Sequence, residues 1–313
     1  DERIPKIKQE VKSTATAYMR KFDKVKIKPM YRELLTNRIL LSELAAEWSF
    51  EEIEQFLAAH QKESWVLEDL AALYYLHARI KGIPDKWKMR VVFIDEVQDY
   101  SLFQLAALKV GLETDMFTMV GDLAQGIHSY RSLTEWDSVL KLFPRATYAT
   151  LQKSYRTTIE IMEVANKILS KMDEELPLVE PVVRHGKEPE FIRCEEFDAN
   201  IILKTYDTIK SNGHRSIALI AKTTAEAKTI VSRLVEARMP VSLLDESATL
   251  DQSKLLVVPS HLAKGLEFDA VIIATFDTPF YDHPIDRKLL YVALTRAMHE
   301  LYLIGPDEKT FLL

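Results

Sequence analysis

The stretch VVFIDEVQDYS, residues 91–101, runs four apolar residues into three carboxylates, Asp95, Glu96 and Asp99. An unbroken apolar run reads as a strand covered on both faces, and in a parallel sheet functional groups gather just beyond the carboxyl ends of strands. A carboxylate placed there can hold Mg²⁺, usually through water, while its neighbour orients a water for attack on a phosphoryl group. Asp95 suits the first role and Glu96 the second. The competing reading is an acidic N-cap on the next helix, and Asp99 taken alone suits that better.

A second apolar run, FTMVGD, ends in Gly121-Asp122, with Gln125 three residues on. Two strands each ending in an acid, ~25 residues apart, match the spacing of one βα unit. A glutamine beside a γ-phosphate can sense whether that phosphate is present. LQKSYRTT places Arg156 after a further strand, and YVALTRAM places Arg296 on a helix near the end of the chain. A planar, permanently charged guanidinium suits a transferring phosphate, and such arginines contribute about 10³–10⁵ in rate to phosphoryl transfer. Each arginine taken singly also reads as a surface salt bridge.

The elements that must position these residues follow from periodicity. From about 5 to 84 the apolar period is helical: LLTNRILLSELAAEW and SFEEIEQFLAAH repeat at three and four residues, Ser49 reads as an N-cap, and Gly82 with Pro84 ends the last helix. From residue 91 the pattern alternates. Strand VVFI, helix SLFQLAALKVGL, strand FTMVGD, strand TYATLQ and helix TTIEIMEVANKILSKM come first. EFIRC, helix 198–211, SIALIA, helix 224–237, VSLL, KLLVVPS, AVIIAT, helix 286–297 and ELYLIG follow. Apolar strands alternating with helices predict an α/β fold, a parallel sheet wrapped by helices, preceded by an all-helical segment. Trp48 and Trp65, flanked by apolar residues, are expected in the core.

Composition bounds the function. The chain has 313 residues, 47% hydrophobic and 28% charged, which suits a globular protein of about two domains. A single cysteine, Cys194, rules out an internal disulfide and fits a reducing cytoplasm. No apolar run approaches the 18 or so residues of a membrane span. The net charge of −6 argues against a surface coated for nucleic acid, although residues 1–38 hold 11 Lys and Arg against 5 acids. That segment reads as a solvated helix face or as an arm facing phosphates or a partner. The eight histidines show no paired metal spacing, so no zinc is expected.

Taken together, IDEVQD, GDLAQGIHSYR, LQKSYRTT, PSHLAKGLEFDAVII and DRKLLYVALTRAMHELYL resemble, in order, motifs II to VI of the UvrD/Rep-type superfamily 1 helicases. Within that superfamily the wording is most similar to HelD, a motor of Gram-positive bacteria that acts on RNA polymerase. Repair helicases of the family carry a large extra domain between motifs IV and V. Fewer than 100 residues separate Thr158 from Lys254, which leaves no room for it. The resemblance implies a RecA-like core that uses ATP and Mg²⁺. Residues 1–88 would be the tail of a helical insertion, 89–150 the rear of the first core domain, and 151–313 the second. Asp95 would hold Mg²⁺, Glu96 would be the catalytic base, Gln125 would read the γ-phosphate, and Arg156 and Arg296 would be arginine fingers. Tyr155, Gly265 and Glu267 would bind the nucleotide, Tyr155 by stacking on adenine and Glu267 through the ribose. Tyr130 and Arg131 would touch a nucleic-acid strand, as would Ser260 and His261.

One piece of the pattern is missing. A phosphate-cradling G-x-x-x-x-G-K-[ST] occurs nowhere; the only Gly-Lys pair, Gly186-Lys187, is followed by Glu188 and has no glycine five residues earlier. The sequence opens at Asp1 and is expected to be a piece of something longer that carries the cradle. His128 and Tyr130 stand where the family has Tyr and Trp, a weaker stacking platform. The expected protein is a cytoplasmic, monomeric motor ATPase acting on nucleic acid, DNA foremost, with RNA polymerase as partner. The alternatives are a UvrD/Rep-type repair helicase, a non-catalytic binding module on the same fold, and a metal nuclease built on Asp95, Glu96 and Asp99.

Overall fold

The computed structural model describes residues 25–60, 65–127, 133–172, 176–182, 184–244 and 254–313. Two compact units divide the chain: Asp1–Val92 with Phe103–Phe117, and Phe93–Leu102 with Thr118–Leu313.

In the first unit, helices α1 (Ile27–Thr36), α2 (Arg38–Leu44), α3 (Phe50–Ala59) and α4 (Leu67–Lys81) follow one another. Ile27, Tyr31 and Leu35 recur at four-residue spacing and form the buried stripe of α1. The Tyr31 hydroxyl donates to buried Asp69 at 2.9 Å, and Asp69 also accepts the Val66 amide at 2.9 Å, so one carboxylate both caps α4 and ties it to α1. Ser49 starts α3 with a capping box: its hydroxyl accepts the Glu52 amide while Glu52 accepts the Ser49 amide at 2.7 Å. Helix α4 stops at Gly82, whose φ of 72° suits a residue without a Cβ. Trp48 departs from the expected core position. It is 38% exposed and meets Phe56 edge-on, because the turn at 45–49 carries it past the end of α2. Trp65 is partly buried, held between the Tyr31 ring and the Arg32 guanidinium, 4.3 Å from its centroid.

The second unit is built on six parallel strands: β5 (Glu190–Arg193), β6 (Ile217–Ala221), β7 (Val241–Leu243), β8 (Leu255–Pro259), β9 (Phe268–Ala274) and β10 (Ala297–Gly305). Their order across the sheet is β5-β10-β9-β6-β8-β7. Alternate residues feed two cores. Ala218, Ile220, Val258, Val271, Ile273, Leu301 and Leu303 face helices α7 (Ile159–Leu169) and α10 (Pro284–Leu294). Leu219, Val257, Ile272 and Ile304 face α8 (Ala199–Ser211) and α9 (Thr224–Glu236). Each fully buried Val, Leu or Ile among them contributes roughly 1.5–3 kcal/mol, which is why the strands carry no polar alternation. The fold is the expected α/β arrangement of a parallel sheet flanked by helices.

Two short pairs complete the described strands: β1 (Val92–Ile94) with β2 (Phe117–Met119), and β3 (Lys153–Ser154) with β4 (Glu180–Pro181). Helices α5 (Leu102–Leu112) and α6 (Trp136–Leu142) account for the remaining helical segments of the first half. TYATLQ, expected as a strand, is not one. Residues 147–151 have no ladder bond, Leu151 is 96% exposed, and pairing with β4 starts only where the Gln152 carbonyl accepts the Glu180 amide at 2.8 Å. β-Branched and aromatic residues set the propensity of that stretch, but a strand needs a ladder to join. Among the described residues no helix is long and apolar enough to cross a membrane.

Candidate functional site

The residues expected to act on nucleotide or nucleic acid, where described, all lie in the second unit. Strand β1 ends at Ile94, and the chain turns at once into a 3-10 turn, Val97–Asp99. Glu96 makes that turn in the left-handed region at φ 52°, with its amide donating to Asp95 Oδ1 at 2.8 Å. Such a conformation costs a non-glycine residue free energy and persists where its surroundings hold it. Gln98 is what holds it. Fully buried, it donates from Nε2 to the Glu96 carboxylate and accepts the Asp122 amide on Oε1 at 3.0 Å, so one amide ties the two acid-bearing strand ends together. Gly121 is glycine because of this contact: a Cβ there would stand 2.3 Å from Gln98 Oε1.

Asp122 continues the chain of contacts. It accepts the Ala124 amide at 2.9 Å and the Gln125 side-chain amide at 2.8 Å. The Gln125 carbonyl oxygen, Oε1, then accepts from Arg296 at 2.9 Å. Arg296 is not a surface residue. It is 2% exposed, lies between the end of α10 and the start of β10 rather than on the helix, and donates further to the Val292 and Leu266 carbonyls at 3.0 and 3.3 Å. Burial lowers its pKa, as does the nearby Arg156, while Glu96 and Glu267 oppose the shift.

Arg156 pairs with Glu267, just before the amino end of β9. Asp122, Gln125, Tyr155, Arg156, Thr295 and Arg296 line one cavity of about 300 Å³. Tyr155 is 69% exposed at its edge, as an open stacking face requires. Tyr291, also lining the cavity, has its hydroxyl pKa raised by burial and then by the charge of Asp122. Gly265 adopts φ 78° with nothing within 4 Å of a notional Cβ, so conformation rather than space selects glycine.

Asp99 is not a helix cap. Lys264 donates to both its carboxylate oxygens, at 2.7 and 2.8 Å, and to the Gln125 backbone carbonyl at 3.0 Å. Sequence reading missed Gln98 and Lys264, each a lone polar residue inside a motif; the glycine of Gly121-Asp122 was the available signal for the first.

The strand-contacting positions divide. Ser260 follows the carboxyl end of β8, is fully buried, and spends its hydroxyl on the Ala221 carbonyl at 3.0 Å, so it shapes the turn rather than presenting a donor. His261 beside it is exposed. Tyr130 and Arg131, with His128, lie outside the described residues. Among the described residues no three His, Cys, Asp or Glu gather as a metal centre. Asp95, exposed beside Glu96, fits Mg²⁺ held through one carboxylate and otherwise by water and phosphate oxygens.

Residues 254–304 match the UvrD-like helicase C-terminal domain. The chain is 24% identical over 185 residues to the ATP-dependent DNA helicase PcrA of Leuconostoc citreum, covering 54% of this chain and 24% of that protein. It is 25% identical over 225 residues to the ATP-dependent DNA helicase Rep of Buchnera aphidicola subsp. Baizongia pistaciae, covering 65% and 32%. Among solved structures, the C-terminal domain of a possible DNA helicase from Lactobacillus plantarum WCFS1 is 31% identical, with a TM-score of 0.40, covering 49% of this chain and 87% of that one. The chain thus spans about a quarter to a third of the length of the curated relatives it matches. Through this C-terminal portion the chain is related to the UvrD/Rep-type superfamily 1 helicases.

Proposed function

We propose that this chain is the C-terminal part of an ATP-dependent motor that moves along or remodels nucleic acid, and that its style is that of HelD. The observation that carries the reading is the meeting of Gln125, Arg156 and Arg296 on one cavity, with Glu96 reached from Gln125 through Asp122 and Gln98. Two guanidiniums beside a glutamine amide match the charge that develops on a transferring phosphoryl group. Arg156 and Arg296 stabilise that charge, Gln125 places the attacking water or the γ-phosphate, and Glu96 accepts the proton. Asp95 would hold the Mg²⁺ that neutralises the phosphate oxygens. Tyr155 and Glu267 would flank the base and ribose, which requires Glu267 to release Arg156 when nucleotide arrives.

The HelD-like choice over a repair helicase is supported by the span between Thr158 and Lys254. The described part of that span is taken up by α7, β4, β5, α8, β6, α9 and β7, with no extra domain among them. It is also supported by charge: residues 91–313 carry 33 acids against 24 basic residues. Such a surface binds free DNA weakly at physiological salt and favours recruitment through protein contacts, here to RNA polymerase. The test uses the full-length protein that carries this sequence. Glu96→Gln is expected to keep ATP binding and abolish turnover, because the amide preserves shape but cannot take a proton. Turnover at the wild-type rate would make Glu96 a structural residue and overturn the reading. Capture of RNA polymerase without robust duplex unwinding at about 150 mM salt supports the HelD-like choice; unwinding without capture favours the repair helicase.

A further inference from the structure

The side chain of Lys264 is 11% exposed, and its ammonium has three protons to give. Two go to the oxygens of Asp99 at 2.7 and 2.8 Å and the third to the Gln125 backbone carbonyl at 3.0 Å, with Glu96 Oε2 at 3.4 Å. The next residues repeat the pattern. The Leu266 carbonyl accepts from Arg296, and Glu267 pairs with Arg156. Three of four consecutive residues, Lys264, Leu266 and Glu267, therefore touch Asp99, Glu96, Arg296 and Arg156.

The Gln125 turn receives support from outside itself as well as from its own bonds. It is a single 3-10 turn, Leu123–Gln125, closed by the Gln125 amide on the Asp122 carbonyl at 3.0 Å and the Gly126 amide on the Leu123 carbonyl at 3.2 Å, and capped by the Asp122 carboxylate. Asp122 and Arg296 hold the two ends of the Gln125 side-chain amide, and Lys264 holds the backbone carbonyl from which that side chain starts. We propose that Lys264 is a positioning residue for phosphoryl transfer: its ammonium, shared between Asp99 and the more distant Glu96 carboxylate, fixes the Gln125 carbonyl and so helps aim the Gln125 side chain at Arg296. The inference rests on the phosphoryl-transfer reading of the site. The competing role is a plain buried ion pair, in which Lys264 neutralises Asp99 and nothing more.

The experiment has two arms. In the full-length protein, kcat and KM for ATP and the melting temperature are measured for wild type, Lys264→Met and Lys264→Arg. In the 313-residue chain, hydrogen exchange is followed at the amides of residues 124–127. Lys264→Met is expected to lower kcat at least about tenfold, to move KM less than about threefold, and to speed exchange at residues 124–127. Lys264→Arg, which keeps charge and donors, recovers most of kcat. If Lys264→Met leaves exchange unchanged, or speeds it while kcat stays within about twofold of wild type, the positioning role is overturned. If it lowers only the melting temperature, Lys264 is the plain ion pair. A wild-type protein that hydrolyses no ATP sinks the functional reading instead, and the exchange arm still decides whether Lys264 pins the Gln125 turn.

Discussion

Replacing Arg296 by Met keeps most of the side chain's bulk and removes its guanidinium. In wild type that group is 2% exposed and donates to Gln125 Oε1, to the Leu266 and Val292 carbonyls and to the Thr295 hydroxyl. In the variant, Gln125 Oε1 and the Leu266 carbonyl, both half-buried, lose their Arg296 donor, and water entering from the cavity offsets part of that loss. A buried acceptor left unsatisfied costs about 1–3 kcal/mol, so two cost about 2–6 kcal/mol. Burying the cation itself opposes the native state, which is why its pKa is lowered. Allowing for that relief, the net loss is about 2–4 kcal/mol. For a unit of this size 1 kcal/mol moves Tm by about 2–4 °C, so Arg296→Met is expected to melt about 4–16 °C lower. Differential scanning calorimetry of the chain at pH 7 reads this directly. A surface ion pair contributes less than about 1 kcal/mol and would move Tm by at most a few degrees. A fall below about 2 °C would refute the reasoning and return Arg296 to the surface.

Gly121→Ala forces a Cβ to within 2.3 Å of Gln98 Oε1 and 3.0 Å of Val97 Cγ1, so Gln98 must release the Asp122 amide or Glu96. The expected result is a loss of about 1–3 kcal/mol in urea unfolding, with turnover of the full-length protein reduced alongside; unchanged values in both would show that Gln98 is not the tie. Glu160 gives a pH signature. The hydrogen bond from the His185 ring at 2.9 Å, with backbone amides including that of Gly186 at 2.8 Å, holds its carboxyl at about 2 against an ordinary 4.5. Because the folded state favours the ionised form, this stabilisation is full above about 4.5 and fades as pH falls toward 2. The Tm gap between wild type and Glu160→Gln should therefore shrink between pH 6 and pH 3, and a gap that widens on acidification would contradict the assignment.

Much of the second unit was legible in the sequence because its strands are apolar without alternation and its helices repeat at three and four residues. SIALIA, KLLVVPS and AVIIAT became adjacent parallel strands for that reason, each covered on both faces. TYATLQ failed the same test because periodicity reports what a residue prefers and not whether a neighbouring strand exists. The site divided along similar lines. Strand-end residues such as Glu96, Asp122 and Gln125 could be found one at a time, since a position past an apolar run is a one-dimensional property. Burial is not, and so Arg296, which spacing allowed to be a surface ion pair, became the most enclosed cation of the cavity. Pairing across distance was hardest. Asp99 looked like a helix cap because a cap is a local explanation for an acid before a helix, whereas its partner Lys264 lies 165 residues away. The segment from Ser260 to Glu267 shows what such pairing accomplishes. It begins at the carboxyl end of β8, where exposed His261 stands, and ends at the amino end of β9 against Arg156. Eight residues thus run from one end of the parallel sheet to the other, with Lys264 in between on Asp99 and the Gln125 carbonyl. Contacts that local spacing could not pair are in this way brought together along one short run of backbone.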